Sequence, residues 1–260
     1  MPDTGAPYEI PFLDGTELVR AYPQFSEDLA DQIVAGLDRG FRFANTRRFT
    51  SDGQFLKADP LGTGDIGLRA IRVRVVGGGG GGGGTAATTG AAGGGGGGYA
   101  ERFITNIAGL EASLTVTCGL GGAGGSGAAD GTAGGTSEVL SALGNTVATG
   151  GEGGQRGVGA GPRGSIPGSN SGIGTAGNFI AAGSPGGGGT VDGIRGGGSG
   201  GSSVFGGGAR SDGEGTAFGT GGILGRAIGG GGSGACNHAV TDTRIGGAGA
   251  NGIVIIDCFV

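Results

Sequence analysis

Uninterrupted glycine runs, Gly77–Gly84, Gly93–Gly98, Gly186–Gly189 and Gly229–Gly232, constrain this chain more than any other feature. Of the 75 glycines among 260 residues, only eight precede position 77. Glycine loses more backbone freedom on ordering than any other residue, about 0.5–1 kcal/mol beyond alanine in regular structure. A chain so rich in it is either a disordered tether or a tightly stacked lattice of main chain.

Composition favours the lattice. Disorder goes with low hydrophobicity and high net charge, whereas here charged residues are 14%, the net charge is −5 and the mean hydropathy is slightly positive, +0.06. A flexible Gly/Ser linker also lacks the apolar segments that punctuate this tract. Aromatic residues are 5% and tryptophan is absent, so any core is thin. The acidic balance has no basic cluster, which argues against nucleic acid and anionic membrane surfaces as partners. No apolar run approaches membrane-spanning length, and Met1–Gly5 lacks the basic region of a signal peptide, so no membrane insertion is expected. Cys118, Cys236 and Cys258 are too few and odd in number for a disulfide framework, which suits synthesis in a reducing cytosol.

The pattern along the chain predicts two parts, residues 1–45 as an N-terminal attachment segment and 46–260 as a glycine-rich distal domain. In the first part, prolines at 2, 7, 11 and 23 keep the opening extended. Ser26 serves as an N-cap, Glu27 and Asp28 favour the first turn, and Leu29, Ile33, Val34 and Leu37 recur at helical spacing up to Gly40. This predicts a helix over Glu27–Arg39 whose single apolar face must dock on something, because a helix this short is not stable alone.

Beyond Phe41 the pattern is one of strands. Arg69–Val76 alternates, with Ile71, Val73 and Val75 on one face; Arg69, Arg72 and Arg74 read as a solvated face. Ser113–Cys118 turns Leu114, Val116 and Cys118 inward. Tyr99–Asn106 alternates less cleanly. Glu138–Leu143 and Thr146–Thr149 flank Gly144-Asn145, which suits a two-residue hairpin turn. Ile253–Ile256 is apolar without alternation, as in a strand covered on both sides. Between residues 150 and 235 no strand is strong, and glycine stretches are broken by inserts at Asn178–Ile180, Ser203–Phe205, Ala217-Phe218 and Gly222–Leu224.

Collagen is excluded, since glycine keeps no every-third register and prolines number eight. A three-residue-per-turn extended helix remains open to polyglycine. It makes no internal hydrogen bonds, so each buried N–H and C=O must pair with a neighbouring segment, and without Cβ atoms such helices can stack as a hexagonal bundle. The expected fold is mainly β: a short N-terminal helix, then a glycine-rich β-sandwich-like domain with stacked polyglycine II-type helices.

Reactive chemistry is sparse. His238 stands two residues after Cys236, but structural zinc needs four ligands, and Cys118 and Cys258 join only if the fold brings them there. Gly-x-Gly-x-x-Gly recurs without a following helix, and Lys57 is far from any phosphate-binding loop. Asp212 and Glu214 read as solvated loop carboxylates. We expect no enzyme, no cofactor, no metal site and no catalytic residue.

Two blocks carry a family resemblance. The opening Gly5-Ala6-Pro7-Tyr8-Glu9-Ile10-Pro11-Phe12, continued by Leu18-Val19-Arg20-Ala21-Tyr22-Pro23 and the helix, resembles the start of minor tail proteins of actinobacterial tailed phages. The block Leu68–Val76 leading into Gly77–Gly84 is similar to their glycine-rich tail-fibre tip domain. So are Gly98-Tyr99-Ala100-Glu101, Gly134-Gly135-Thr136-Ser137 and Gly246–Ile255. The extra residues Phe55–Gly67 and the cysteines depart from that pattern. The resemblance implies a virion protein, made in the host cytoplasm, commonly a homotrimer, attached to an upstream phage tail protein through its N-terminal segment. Its distal part would face a host cell-surface receptor, making it an adhesin. The residues that contact the receptor are unknown from sequence; Phe179, Phe205 and Phe218 are candidates whose bland alternative is plugging a bundle edge. The competing expectations are a purely structural tail-tip or baseplate component, or a glycine-rich bacterial surface protein.

Overall fold

The computed structural model describes residues 42–58, 67–86, 88–158, 165–190, 196–211, 221–237 and 242–260. Contacts divide the chain into two units, Met1–Arg42 and Phe43–Val260. The helix expected over Glu27–Arg39 lies outside the described residues. Within the second unit the chain is mainly β, with one 3₁₀ turn at Ile107–Gly109.

Its strands are β1 (Phe43–Phe49), β2 (Gly53–Leu56), β3 (Ala70–Val76), β4 (Tyr99–Ile104), β5 (Ser113–Thr117), β6 (Ser137–Leu140), β7 (Thr146–Ala148), β8 (Ser165–Ile166), β9 (Gly174–Ala176), β10 (Phe179–Ala181), β11 (Gly189–Thr190) and β12 (Ile253–Phe259). One antiparallel sheet has the order β1-β12-β3-β4-β10 and the other β2-β5-β6-β7-β9; β8 and β11 form a separate pair. The alternation in β5 turns Leu114 and Val116 inward, and Cys118 just beyond is buried too. Those residues share one apolar cluster with Ile71, Val73, Val75, Val254 and Ile256 of the other sheet. Central β12 is buried on both faces from Ile253 to Ile256, as its unbroken apolar run requires. Its second face packs on Val76 and Tyr99.

The expected two-residue hairpin at Gly144-Asn145 is instead a five-residue connection, because β6 ends at Leu140. Glu111 holds it, accepting from the Ala142 amide and the Ser141 hydroxyl. Gly144, at φ 118°, supplies the left-handed conformation there.

Each strand next to the glycine tract continues into a glycine segment, here termed a column. The column Gly77–Gly84 follows β3, and the amides of Gly77, Gly80 and Gly83 donate to the carbonyls of Gly98, Gly95 and Ala92. Those of Gly78, Gly81 and Gly84 donate to Gly135, Thr132 and Ala129, while Gly79 and Gly82 donate to Ala250 and Gly247. Its carbonyls accept from three further segments, represented by Gly122, Gly151 and Gly232. Bonding direction therefore repeats every third residue, and six neighbours surround the column.

The glycine run is a steric requirement. A Cβ placed on any residue from Gly77 to Gly84 would lie 2.0–2.3 Å from a neighbouring carbonyl oxygen. Columns Gly90–Gly98 and Gly229–Asn237 also have six bonded neighbours each, with room for the buried side chains of Ala91, Ala92, Ser233 and Ala235, and the three bond to one another through Gly80–Gly95, Gly232–Gly80 and Gly94–Gly232. Rim columns need glycine only where they face inward. In two of them every third residue carries an outward side chain, Leu120, Ala123 and Ser126 in one and Glu152 and Gln155 in the other, all exposed.

Candidate functional site

The second unit has two dissimilar ends. Column Gly77–Gly84 runs away from the sheets and Gly90–Gly98 returns, and the pairing of the others follows this alternation. The turn Ser203–Gly206 joins two columns beside the sheet, whereas the described column ends Gly84, Gly125 and Gly157 therefore lie together opposite the strands. Near that end Thr85, Thr89 and Asn237 are buried; the two threonine hydroxyls lie 2.9 Å apart, and the Asn237 amide donates to the carbonyl of Thr89. Phe43, by contrast, pairs with Phe259 at the sheet end remote from the columns.

The outer face of the first sheet bears adjoining rows of charged and aromatic groups. Register places Thr46, Asp257, Arg72 and Phe103 in one row across it, and Arg48, Ile255, Arg74, Glu101 and Phe179 in the next. Asp257 is 2% exposed. Its carboxylate accepts from the Thr46 hydroxyl at 2.7 Å, Arg72 Nε at 2.9 Å and Arg74 Nη2 at 2.9 Å. Burial alone would raise the Asp257 carboxyl, but the Thr46 hydroxyl and the two guanidiniums hold it below the usual carboxylate range. Arg72 and Arg74 are thus clamps on a buried anion, not the freely solvated residues their alternation suggested. The partner lies more than 180 positions away, so spacing could not reveal it.

Aromatic rings flank this network. Phe43 and Phe103 stand edge-on to Phe259, at 6.1 and 5.7 Å. Tyr99 is flanked edge-on by Phe179 at 6.0 Å and Phe205 at 6.2 Å. Phe179 is 59% exposed and Phe205 40%. Both therefore sit where the columns meet the sheet, not at the end where columns are joined. Phe218 lies outside the described residues.

Reactive groups are dispersed. Among the described residues no three His, Cys, Asp or Glu side chains assemble as metal ligands. Cys118, Cys236 and Cys258 are buried and in no disulfide. Burial pushes the Cys258 thiol up to about 11 and also raises that of Cys118. His238, Asp212 and Glu214 lie outside the described residues. Lys57 borders a cavity of about 400 Å³ with Leu68 and Ile107, and its amine donates to the carbonyl of Leu110 at 2.9 Å. No helix among the described residues is long and apolar enough to cross a membrane.

What this arrangement offers is a laterally hydrogen-bonded main-chain lattice that continues from the strands of the two sheets. No curated protein matches the chain. Residues 61–259 match the family described as a glycine-rich domain, and the chain belongs to that family.

Proposed function

We propose that this member of the glycine-rich domain family is a tail-tip or tail-fibre protein of a tailed phage, acting as a host-surface adhesin. In this reading the columns form a polyglycine II-type bundle, the part before Phe43 joins an upstream tail protein, and the chain self-associates as a homotrimer in the virion. Receptor contacts come from segments joining the columns at the end opposite the strands.

The observation that carries the reading is the enclosure of three mutually bonded glycine columns by six neighbours each. Peptide bonds locked in this way resist proteases, because cleavage requires local opening first. The polarity of the second unit supports it further: its first residue, Phe43, is at the sheet end remote from the columns. The reading involves no catalytic step.

The experiment is adsorption of the isolated, labelled protein to actinobacterial cells, with a column-end connection replaced by a short Gly/Ser linker as the comparison. An adhesin binds and the replacement loses binding; a purely structural tail-tip part binds no cell in either form. Phe179→Ala and Phe205→Ala are expected to leave adsorption unchanged, since both rings pack at Tyr99.

A further inference from the structure

Asparagine is a thermolabile residue, and most so before glycine. There no side chain hinders the following main-chain nitrogen from attacking the asparagine's own amide carbon. This chain contains that pair once, at Asn251-Gly252. Asn251 is exposed, so water and base reach it, whereas Gly252 is buried.

Each group that the reaction needs is held by another part of the lattice. The Gly252 amide, the nucleophile, donates to the carbonyl of Gly119 at 2.8 Å. The Asn251 side-chain oxygen accepts from the amide of Gly121, also at 2.8 Å. The peptide joining the two residues must rotate for attack, but the Asn251 carbonyl accepts from the amide of Gly229 at 2.9 Å. A Cβ on Gly252 would lie 2.2 Å from the carbonyl oxygen of Val76, so the main chain there is hemmed in as well.

We propose that Asn251-Gly252 is a self-modification site that the lattice keeps closed and that reacts when segments 119–125 and 246–252 part. In the step, the Gly252 nitrogen bonds to Asn251 Cγ while the Cγ–Nδ2 bond breaks. The side-chain nitrogen leaves as ammonia, taking the Gly252 amide proton. Water, the sole co-reactant, then opens the five-membered imide at either carbonyl, giving aspartate or isoaspartate. Isoaspartate routes the main chain through the former side chain and adds one carbon to it. Directly beyond lies β12, whose register on β3 is set from Ile253 to Phe259. Directly before lie Gly249 and Ala250, whose amides donate to Gly122 and Gly230. The extra carbon falls between two fixed stretches, so a chain that has opened and converted to isoaspartate is barred from the native fold. The pair thereby records opening irreversibly.

The test follows the full chain at mildly alkaline pH, folded and in denaturant, with samples unfolded and digested with trypsin at intervals. Cleavage after Arg244 releases 245–260, in which Asn251 is the only amide side chain, so the mass of this peptide reports the site alone. Folded wild type is expected to convert at least about tenfold more slowly than the unfolded chain, the factor being set by how rarely the segments part. Gly121→Ala, whose Cβ would lie 2.0 Å from the Gly249 carbonyl oxygen, is expected to lose most of that protection, while Gln155→Ala keeps it. After removal of denaturant, unconverted chain is expected to regain the native far-UV spectrum and the isoaspartate form, separated by chromatography, to fail. Equal rates in folded and unfolded wild type, full protection in Gly121→Ala, or an isoaspartate chain that refolds overturns the proposal.

Discussion

The amide of Gly80 donates to the carbonyl of Gly95 at 2.8 Å, but the amide of Gly95 donates to Glu152, at 2.9 Å, rather than back to Gly80. In an antiparallel ladder, hydrogen-bonded residues facing each other exchange both bonds. Here successive bonds fan out to different segments, so cohesion extends in two lateral directions instead of one.

Adding one methyl to an enclosed column is expected to be severe. In Gly81→Ala the new carbon would lie 2.0 Å from the Ala123 carbonyl oxygen, and backbone on both sides must move. The expected cost is at least about 3 kcal/mol, at the upper end of overpacking effects. Gln155→Ala, on the exposed rim, is expected to change stability by no more than about 0.5 kcal/mol. Denaturant melts of the two variants check the contrast.

Amide exchange gives a direct reading of lateral bonding. Gly80–Gly83 and Gly94–Gly96 are expected to be protected as strongly as Val73–Val75 of β3, since both sets are buried and bonded. Coil-like exchange at those glycines would refute the lattice.

Asp257→Asn leaves Arg72 and Arg74 without their buried counter-charge, and a loss of about 3 kcal/mol is expected. The carboxyl's folded pKa is depressed, so its stabilisation is complete above the unfolded value, about 3.9. It drains as pH falls through the lowered folded value. Chemical melts between neutral pH and pH 3 should therefore show a smaller acid-induced loss in the variant than in wild type.

The three cysteines are expected to resist a thiol reagent in the native protein and react on unfolding, because each is a buried thiol in no disulfide. Colour development with an aromatic disulfide, before and after denaturant, checks this. Rapid native reaction at Cys258 would contradict its position inside the shared apolar cluster.

The sequence disclosed what depends on local repetition. Alternation in 113–118 identifies β5, the arginine-valine alternation marks β3, and the unbroken Ile253–Ile256 run marks a doubly covered strand. The runs Gly77–Gly84 and Gly93–Gly98 identify columns with little space around them, since a Cβ there would meet neighbouring backbone, whereas the run Gly186–Gly189 includes the exposed Gly188. The order of columns was not legible, because glycine has no side chain with which to specify a neighbour. Nor was the Asp257 clamp, whose members meet only when β1, β12 and β3 align. The connection at 141–145 was misread because Glu111, remote in sequence, supplies the acceptors that shape it. Phe179 and Phe205 stood out as aromatics within the glycine-tract inserts, but their common perch on Tyr99 depends on β10 and a distant turn converging.

The three-residue rhythm of the rim also governs how this protein can diversify. In the peripheral segments Gly119–Gly125 and Gly150–Gln155, two of every three sites are sterically closed, while the third faces water with nothing to match. Descendants could exchange acid for amide or serine for leucine along such a ridge and keep one scaffold. Variation would accumulate as evenly spaced longitudinal stripes, each a single residue wide.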